Sequence, residues 1–321
     1  MDFRRTISAV AALGFAAPVC AQPASTAGGQ KFPAKMVRMV IPFAVGGSSD
    51  ANGRIIAPPL TERWKQQVII EPRPGAATVP GTDMVAKSPP DGHTLLLTST
   101  QFTQSPAMFA RLPFDSLTDL IPVTRVTRSP QAIVAHPSLP AKNIRELVAL
   151  ARTRPGQINM ANAGTSLPSY YFNMLAKVKI ESVPYKGAGP MMIDAMGGHV
   201  HLAIGAVSSV QSAVRSGRVR MLGVTSTSQA FPDVPLIAKD VPGYDSDSWF
   251  GLFAPRGTPR EVVQRVRDDV AAVMQVAAIR QKLLDIGGEP SGEQPEAFTA
   301  RVREEIVKWK HVAQVAGIQP Q

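Results

Sequence analysis

The stretch with the clearest chemical potential is "IPFAVGGSSDANGR", residues 41–54, where an apolar run ends in two glycines and then in small polar residues. Backbone N–H groups and the positive end of a helix dipole make such a turn able to hold an anion. The turn lacks the GxxxxGK[ST] pattern of a polyphosphate loop and the GxGxxG pattern of a dinucleotide site. Asp50 in the first helical turn suits capping better than polyphosphate binding. Two interpretations remain, a site for a small anion such as a carboxylate and a plain strand-to-helix turn.

The residues that commonly catalyse reactions or bind metals form no convincing pattern. His199 and His201 are the only closely spaced histidines, and no cysteine or acidic partner accompanies them, so they read as a solvated strand end. Asp245 and Asp247 read as part of a polar loop. There is no GxSxG motif and no set of nucleophile, base and orienting residue. We therefore predict that the protein is not an enzyme and has no catalytic residue, metal site or cofactor.

Four small-residue loops follow predicted strands and share one composition. They span residues 43–50, 98–104 ("TSTQFTQ"), 162–169 ("NAGTSLPS") and 205–209 ("GAVSS"). In parallel α/β sheets, ligands bind at the carboxyl ends of strands. Glycine allows close approach to the backbone, and serine and threonine add hydroxyl donors. One such loop could be an ordinary turn, whereas four together predict a binding site that suits a carboxylate.

The elements that must position these loops alternate along the chain. Eight runs read as strands: "MVRMVIPF", "VIIEP", "HTLLLTST", "QAIVAHP", "INMANA", "VHLAIGA", "VRMLGVTS" and "WFGLFAP". Helical patterns lie between most of them, which predicts parallel α/β sheets. Pro58 and Pro59 should divide the first helix into two pieces, because proline removes an N–H donor and clashes with the preceding turn.

Three further helices have clear sequence signals. Asn143 and Glu146 form a capping pair before an apolar helical face. "TPRE", residues 258–261, opens a helix or pair of helices that stops near Gly287 and Gly288. Near the C-terminus, apolar side chains repeat at helical spacing at Phe298, Val302, Ile306 and Trp309.

Composition limits the function classes. A chain of 321 residues favours two domains, and 18% charged residues with a mean hydropathy of +0.01 indicate an ordinary globular protein. The formal net charge is +10, but lysine and arginine are scattered and aromatic residues are only 6%. We therefore expect no nucleic acid as a partner.

The N-terminus predicts export. Arg4 and Arg5 precede an apolar run from Ile7 to Val19, and the small residue Ala21 marks a cleavage site, so residues 1–21 read as a signal peptide. Cleavage there removes Cys20, the only cysteine, and leaves residues 22–31 as a flexible lead-in. The predicted location is the periplasm, with the general secretory and twin-arginine routes both open.

An ordered set of motifs makes a resemblance specific. The chain contains "IPFAVGGSSD", "EPRPGA", "SPPDGHTLLL", "LIPVTRV", "VAHPSLPAKNIRELVALARTRPGQINMANAG", "VPYKGAGP", "MGGHVHLAIG", "SGRVRMLGVTS", "FPDVPL", "PGY", "SWFGLFAPRGTP" and "GGEPSG". In this order they resemble the Bug family, the periplasmic solute-binding proteins of tripartite tricarboxylate transporters. The resemblance extends from about Phe32 to the C-terminus.

The resemblance implies a two-lobed α/β fold of the Venus flytrap type II class. Each lobe is expected to hold a mainly parallel sheet flanked by helices, with a hinge between the lobes. The first lobe would comprise residues 32–128 and 250–321, and the second would comprise residues 129–249. The lobes would close over a small carboxylated ligand, and the chain would perform no chemistry of its own.

The resemblance also assigns ligand-binding residues. One loop from each lobe would grip a carboxylate, and a further loop and strand end would line the cleft: Phe43, Ala44, Val45, Gly46, Gly47, Ser48 and Asp50; Gly164, Thr165, Ser166 and Ser169; Ser99, Thr100 and Gln101; Gly205 and Ala206. The family usually has two prolines where this chain has Ala44 and Val45, so the first loop should be less rigid. Relatives often have an acidic residue and an asparagine in place of Gly205 and Ala206, which leaves room here for a bulkier or less polar ligand body.

The implied function is capture of a dicarboxylate, tricarboxylate or aromatic acid and its delivery to the membrane subunits of a tripartite tricarboxylate transporter. We expect the protein to be a monomer. Two alternatives use the same cleft, namely a carboxylate-sensing accessory protein of a signalling system and an exported enzyme acting on carboxylic acids. The sequence leaves open the identity of the ligand and whether the cleft is open or closed.

Overall fold

The computed structural model describes residues 32–75, 78–185 and 187–320, so the predicted signal peptide, Cys20 and the lead-in lie outside the described residues. The strands are β1 (Val37–Ile41), β2 (Val68–Pro72), β3 (Thr94–Ser99), β4 (Leu120–Ser129), β5 (Gln131–Ala135), β6 (Asn159–Ala163), β7 (Glu181–Tyr185), β8 (Leu202–Ala206), β9 (Arg220–Val224), β10 (Ser248–Pro255) and β11 (Glu289–Pro290). The helices are α1 (Ser48–Trp64), α2 (Val79–Ala86), α3 (Gln101–Met108), α4 (Ile144–Thr153), α5 (Leu167–Ala176), α6 (Ala188–Gly197), α7 (Val207–Arg215), α8 (Arg260–Gln275), α9 (Ala277–Asp285) and α10 (Pro295–Val315). Among the described residues, no helix is long and apolar enough to span a membrane.

The strands form two sheets. The first has the order β11-β4-β10-β3-β1-β2, and the second has the order β7-β6-β8-β5-β9. β1 pairs in parallel with β2 and β3, and β6 pairs in parallel with β7 and β8. β10 is antiparallel to both of its long neighbours, and so is β5. The predicted class, a two-lobed α/β fold, is confirmed. The prediction of mainly parallel sheets was wrong, because four of the strand pairs among the described residues are parallel and five are antiparallel.

The two reversed strands have a common cause in the path of the chain. β5 follows β4 after Pro130 alone and begins the second sheet, while β10 is the first strand after the chain returns to the first sheet. Each strand enters its sheet directly from the other one, without a crossover helix to restore the parallel direction. Purely parallel pairing, which the alternation of elements suggested, therefore does not occur.

The prediction of a divided first helix was wrong. α1 continues from Ser48 to Trp64 with Pro58 and Pro59 inside it. The buried face of α1, with Ile56, Leu60 and Trp64, packs into the core of the first sheet, whereas Pro58 is exposed. We attribute the continuity to this packing, which offsets the lost backbone hydrogen bonds.

The other helix signals are confirmed. The Asn143 side chain accepts a hydrogen bond from the Glu146 N–H at 2.9 Å, at the start of α4. α8 and α9 form the expected pair, which ends before Gly287. The sequence reading missed β4, β7 and the short β11. β7 contains Pro184 and lies at the edge of its sheet, where a missing N–H is tolerated.

The C-terminal helix α10 contributes to two hydrophobic cores. Phe298, Val302 and Ile306 are buried in a cluster that includes side chains of β3 and β10 in the first sheet. In the next turn, Trp309 and Val312 are buried in a cluster that includes side chains of β6, β8 and β9 in the second sheet. A single helix therefore joins the packing of both sheets.

Candidate functional site

A cavity of about 550 Å³ is lined by residues from both sheets. Its walls come mainly from the loops that follow β1, β3, β6, β7 and β8. Residues of the crossing segments and of the turn after α9 complete it: Ser129, Gln131, Ser248, Phe250, Ile286 and Gly288. The cavity is thus at the place where the carboxyl ends of parallel strands from the two sheets face one another.

Five helices begin at this cavity. α1, α3, α5, α6 and α7 each contribute at least one lining residue from their first turn or from the residue just before it. The N-terminal N–H groups and dipoles of these helices favour an anion. None of the lining residues that the structure describes is charged. The described lining residues therefore offer an anion backbone dipoles, hydroxyls and amides.

Ten of the sequence-predicted site residues line the cavity, and they come from all four predicted loops: Phe43, Gly47, Ser48, Ser99, Thr100, Gln101, Gly164, Thr165, Gly205 and Ala206. The other six are not among the lining residues, but each is within two positions of one along the chain: Ala44, Val45, Gly46, Asp50, Ser166 and Ser169. The structure therefore brings together residues that are up to 163 positions apart in the chain, from Phe43 to Ala206.

Asp50 supports the first loop from behind. Its Oδ2 accepts hydrogen bonds from the Gly46 N–H at 3.0 Å and from Arg54 Nε at 2.8 Å. The bond from Arg54, with a smaller contribution from Gly46, holds the pKa of Asp50 below its usual range although burial opposes this. The carboxylate is therefore ionised at neutral pH, and it fixes the loop rather than facing the cavity.

Ser169 has a similar supporting place behind the second loop. Its hydroxyl donates to Asn162 Oδ1 at 2.8 Å, and Asn162 Nδ2 donates to the Met160 carbonyl and to Ser182 Oγ. Ser169 and Asn162 are buried. This network joins α5 to the end of β6 and to the start of β7, so it positions the loop that contains Gly164.

Segments that follow strands of the two different sheets touch at the cavity. Thr165 Oγ1 donates to Gln104 Oε1 at 2.8 Å, which links the loop before α5 to α3. A Cβ on Gly164 would lie 3.9 Å from Gln101 Nε2, so these two residues are also neighbours. Gln101 lines the cavity, and its side-chain amide is able to donate to a ligand.

Gly205 contributes backbone to the cavity wall. A Cβ on this residue would point towards α6 and meet Met191 Cε at 2.9 Å. The absence of a side chain at position 205 therefore allows α6 to pack closely on β8. On the side of the cavity formed by β8, extra room for a ligand therefore comes from the small side chain of Ala206 and not from Gly205.

Sequence reasoning missed the wall that follows β7. Tyr185, Gly187 and Ala188 line the cavity. The Tyr185 hydroxyl donates to Asp194 Oδ2 at 2.5 Å, and this bond raises the pKa of Tyr185 to about 12. The ring is thereby fixed as part of the wall. The available signal was "VPYKGAGP", a glycine-rich stretch of the same kind as the four loops.

The groups considered for catalysis or metal binding lie away from the cavity lining. His201 Nδ1 is 2.8 Å from Asn159 Oδ1, and Asp247 accepts hydrogen bonds from Thr225 and from Ser226 Oγ, the latter at 2.6 Å. Burial raises the pKa of Asp247. Within the described ranges, no three His, Cys, Asp or Glu side chains cluster as metal ligands would. These groups have structural partners.

Comparison with known proteins gives one consistent result. Residues 53–318 match the profile of the family described as "Tripartite tricarboxylate transporter family receptor". Protein BugT of Bordetella pertussis (strain Tohama I) is 31% identical, and the match covers 96% of this chain and 95% of BugT.

Two solved structures are similar over most of their length. R. palustris Rpa4515, solved with adipate, is 34% identical with a TM-score of 0.76, and the match covers 90% of this chain and 100% of that one. MatC (Rpa3494) from Rhodopseudomonas palustris, solved with bound malate, is 29% identical with a TM-score of 0.72, and the match covers 88% and 100%. Both similar structures are described with a small dicarboxylic acid.

Proposed function

Because the chain belongs to the receptor family of the tripartite tricarboxylate transporters, we propose that it captures a small carboxylate in the cavity between its sheets and delivers it to a transporter of this class. It is a solute-binding protein and not an enzyme. The observation that carries the proposal is the convergence of five helix N-termini on a cavity without a charged side chain among its described lining residues. Such a site favours an anion and can release it again.

The carboxylate would be held by the first and second loops. Backbone N–H groups near Gly47 and Ser48, at the start of α1, would face it from one sheet, and those near Gly164 and Thr165 would face it from the other. Ser99, Thr100 and Gln101 would supply further donors. Phe43, Gly205 and Ala206 would contact the body of the ligand.

The six predicted residues outside the lining would act by shaping these loops. Asp50 would hold Gly46 through the hydrogen bond described above, and Ser169 would hold the second loop through Asn162. Ala44, Val45 and Ser166 flank residues that would contact the ligand. An affinity in the micromolar range corresponds to about −8 kcal/mol, which a few charge-assisted hydrogen bonds can supply in a dehydrated cleft.

Binding would close two lobes around the ligand. We propose residues 32–128 and 250–321 as the first lobe and residues 129–249 as the second, which is supported by the grouping of β5 to β9 in one sheet. The ligand would favour the closed arrangement by its differential affinity for it. The membrane subunits would recognise the closed form of a monomer in the periplasm, after cleavage of the signal peptide near Ala21.

A charge substitution at the α1 N-terminus tests this proposal. We expect Gly47→Asp to abolish adipate or malate binding in isothermal titration calorimetry, because its carboxylate would occupy the anion position. Gly47 has ordinary extended backbone, and a Cβ there would lie 3.5 Å from the Ala44 carbonyl oxygen, so a side chain can be accommodated. Gly47→Asn adds a neutral side chain of the same size and should lose far less affinity. Equal affinity of Gly47→Asp and the wild type would refute the carboxylate position.

A further inference from the structure

Gly287 lies in the turn that ends α9, and it has no space for a side chain. Its φ is +74°, and the N–H groups of Gly287 and Gly288 donate to the carbonyls of Leu284 and Leu283 at 2.8 and 2.9 Å. This is the hydrogen-bond pattern of a Schellman helix end. A Cβ on Gly287 would overlap the Cβ of Ser208 and lie 2.6 Å from its Oγ and 3.1 Å from its Cα.

The two sides of this contact belong to different cores. Ile286 packs against the core of the first sheet, and the Gly287 carbonyl accepts a hydrogen bond from Ser129 Oγ at 2.7 Å. Ser208 is in the first turn of α7, whose Val207 and Val210 are buried in a core of the second sheet. The contact therefore joins the part of the protein built on one sheet to the part built on the other.

The contact also borders the cavity. Ile286 and Gly288 line the cavity on one side of it, and Ser208 and Ser209 line it on the other. α7 is one of the five helices whose N-termini converge there. The distance between α7 and the turn after α9 therefore determines how closely one of these N-termini approaches an anion held by the rest of the site.

We propose that Gly287 is a positioning residue for closure of the cleft, because only glycine lets the turn after α9 seat against the N-terminus of α7. This inference rests on the proposed function. A Cβ at position 287 would raise the free energy of the arrangement in which the turn after α9 contacts the N-terminus of α7. It would not affect a more open arrangement in which these two segments are apart. The apparent affinity is the intrinsic affinity multiplied by the fraction of molecules that can adopt the closed arrangement. A smaller closed fraction would therefore appear as weaker ligand binding.

Gly217 provides a matched control for backbone strain. It ends α7 with a φ of +70°, and the N–H groups of Gly217 and Arg218 donate to the carbonyls three and five residues earlier, at 3.0 and 2.9 Å. A Cβ on Gly217 would have no atom within 4 Å. Alanine at either glycine therefore imposes the same local strain, but only at position 287 does it collide with another part of the protein.

The test compares Gly287→Ala, Gly217→Ala, Ser208→Gly and the double variant Gly287→Ala/Ser208→Gly in the full mature protein. Calorimetry uses adipate as the probe, with malate as the second choice. We expect Gly287→Ala to bind about 5- to 150-fold more weakly, the range of an overpacked contact. Gly217→Ala should bind as the wild type does. The double variant should bind adipate nearly as tightly as Ser208→Gly does. Glycine at position 208 removes the Cβ and Oγ that collide with the new Cβ at position 287, and only the Cα of residue 208 remains close to it.

Small-angle X-ray scattering and thermal unfolding separate closure from folding. Adipate should reduce the radius of gyration of the wild type more than that of Gly287→Ala, while the ligand-free melting temperatures of the two alanine variants should fall by similar amounts. Unchanged affinity in Gly287→Ala, an equal loss in Gly217→Ala, or no recovery in the double variant would each overturn the inference. If the wild type binds neither acid, the proposed function fails. The role of Gly287 is then still tested by the ligand-free radius of gyration. This radius should be larger for Gly287→Ala than for Gly217→Ala.

Discussion

The buried carboxylate of Asp269 links α1 and α8, two helices that pack against the first sheet. It is only 2% exposed on α8, and it accepts hydrogen bonds from Trp64 Nε1 of α1 at 2.7 Å and from Arg265 Nε at 2.5 Å. Arg63 of α1 also donates to it. Burial opposes its ionisation, but these three hydrogen bonds together hold the pKa of Asp269 below its usual range.

This arrangement predicts acid-sensitive stabilisation. A carboxylate whose pKa is lower in the folded state stabilises the protein above its unfolded pKa and loses this contribution as the pH falls through its folded pKa. We expect Asp269→Asn to lower the free energy of unfolding by about 1–3 kcal/mol at pH 7. The difference from the wild type should shrink as the pH falls from 7 to 3, as measured by urea unfolding.

The neighbouring residue provides the control for that measurement. Asp268 is on the same helix but is exposed, so Asp268→Asn should change the free energy of unfolding by at most about 0.5 kcal/mol. If Asp269→Asn were equally destabilising at pH 3 and pH 7, the ionised carboxylate would not be the source of the stability.

At the scale of elements, Glu305 joins α10 to α3 and β10 and has the opposite pH behaviour. It is 7% exposed, accepts hydrogen bonds from Trp249 Nε1 at 2.9 and 3.1 Å, and is 2.8 Å from Thr103 Oγ1. Burial raises the pKa of Glu305, although Lys308 and these bonds oppose the shift. Its stabilising contribution is therefore complete below the unfolded pKa and is lost as the pH rises through the folded pKa.

Replacement of Glu305 by a neutral amide tests this sign. Glu305→Gln can still accept from Trp249 and donate to Thr103, so we expect it to gain stability relative to the wild type as the pH rises from 4 to 8. The gain should be about 1.4 kcal/mol for each unit by which the folded pKa exceeds the unfolded one. The adjacent exposed residue gives the control, and Glu304→Gln should show no such trend. A pH-independent difference between Glu305→Gln and the wild type in thermal unfolding would contradict the assignment.

The elements also show what the sequence could and could not predict. The cap at Asn143 and the apolar spacing of α10 are local patterns, and both were predicted correctly. The continuity of α1 through two prolines and the edge strand β7 depend on tertiary packing, which spacing along the chain does not reveal. Similarly, glycine-rich turns predicted the loops of the site, but the contact between Gly287 and Ser208 arises only when the two sheets face one another.

At the scale of the whole molecule, the two crossings between sheets are held by one polar network. Arg128, at the end of β4, donates to Glu289 Oε2 at 2.7 Å and to the Thr227 carbonyl at 3.3 Å. Asp247, just before β10, accepts from Thr225 and from Ser226 at the end of β9. The network therefore joins the outgoing and returning segments beside the cavity, where a hinge between the proposed lobes would lie.

The C-terminal helix gives the molecule a further link, and it predicts cooperative unfolding. Phe298 is buried in a core of the first sheet and Trp309 in a core of the second, and both belong to α10. Neither core can unfold without losing side chains that this helix supplies. We therefore expect the protein to unfold in one calorimetric transition. Either Phe298→Ala or Trp309→Ala, which removes about 3–5 kcal/mol of packing, should lower that single transition by roughly 5–15 °C. Two resolved transitions, with Trp309→Ala shifting one and Phe298→Ala the other, would show that the two cores unfold independently.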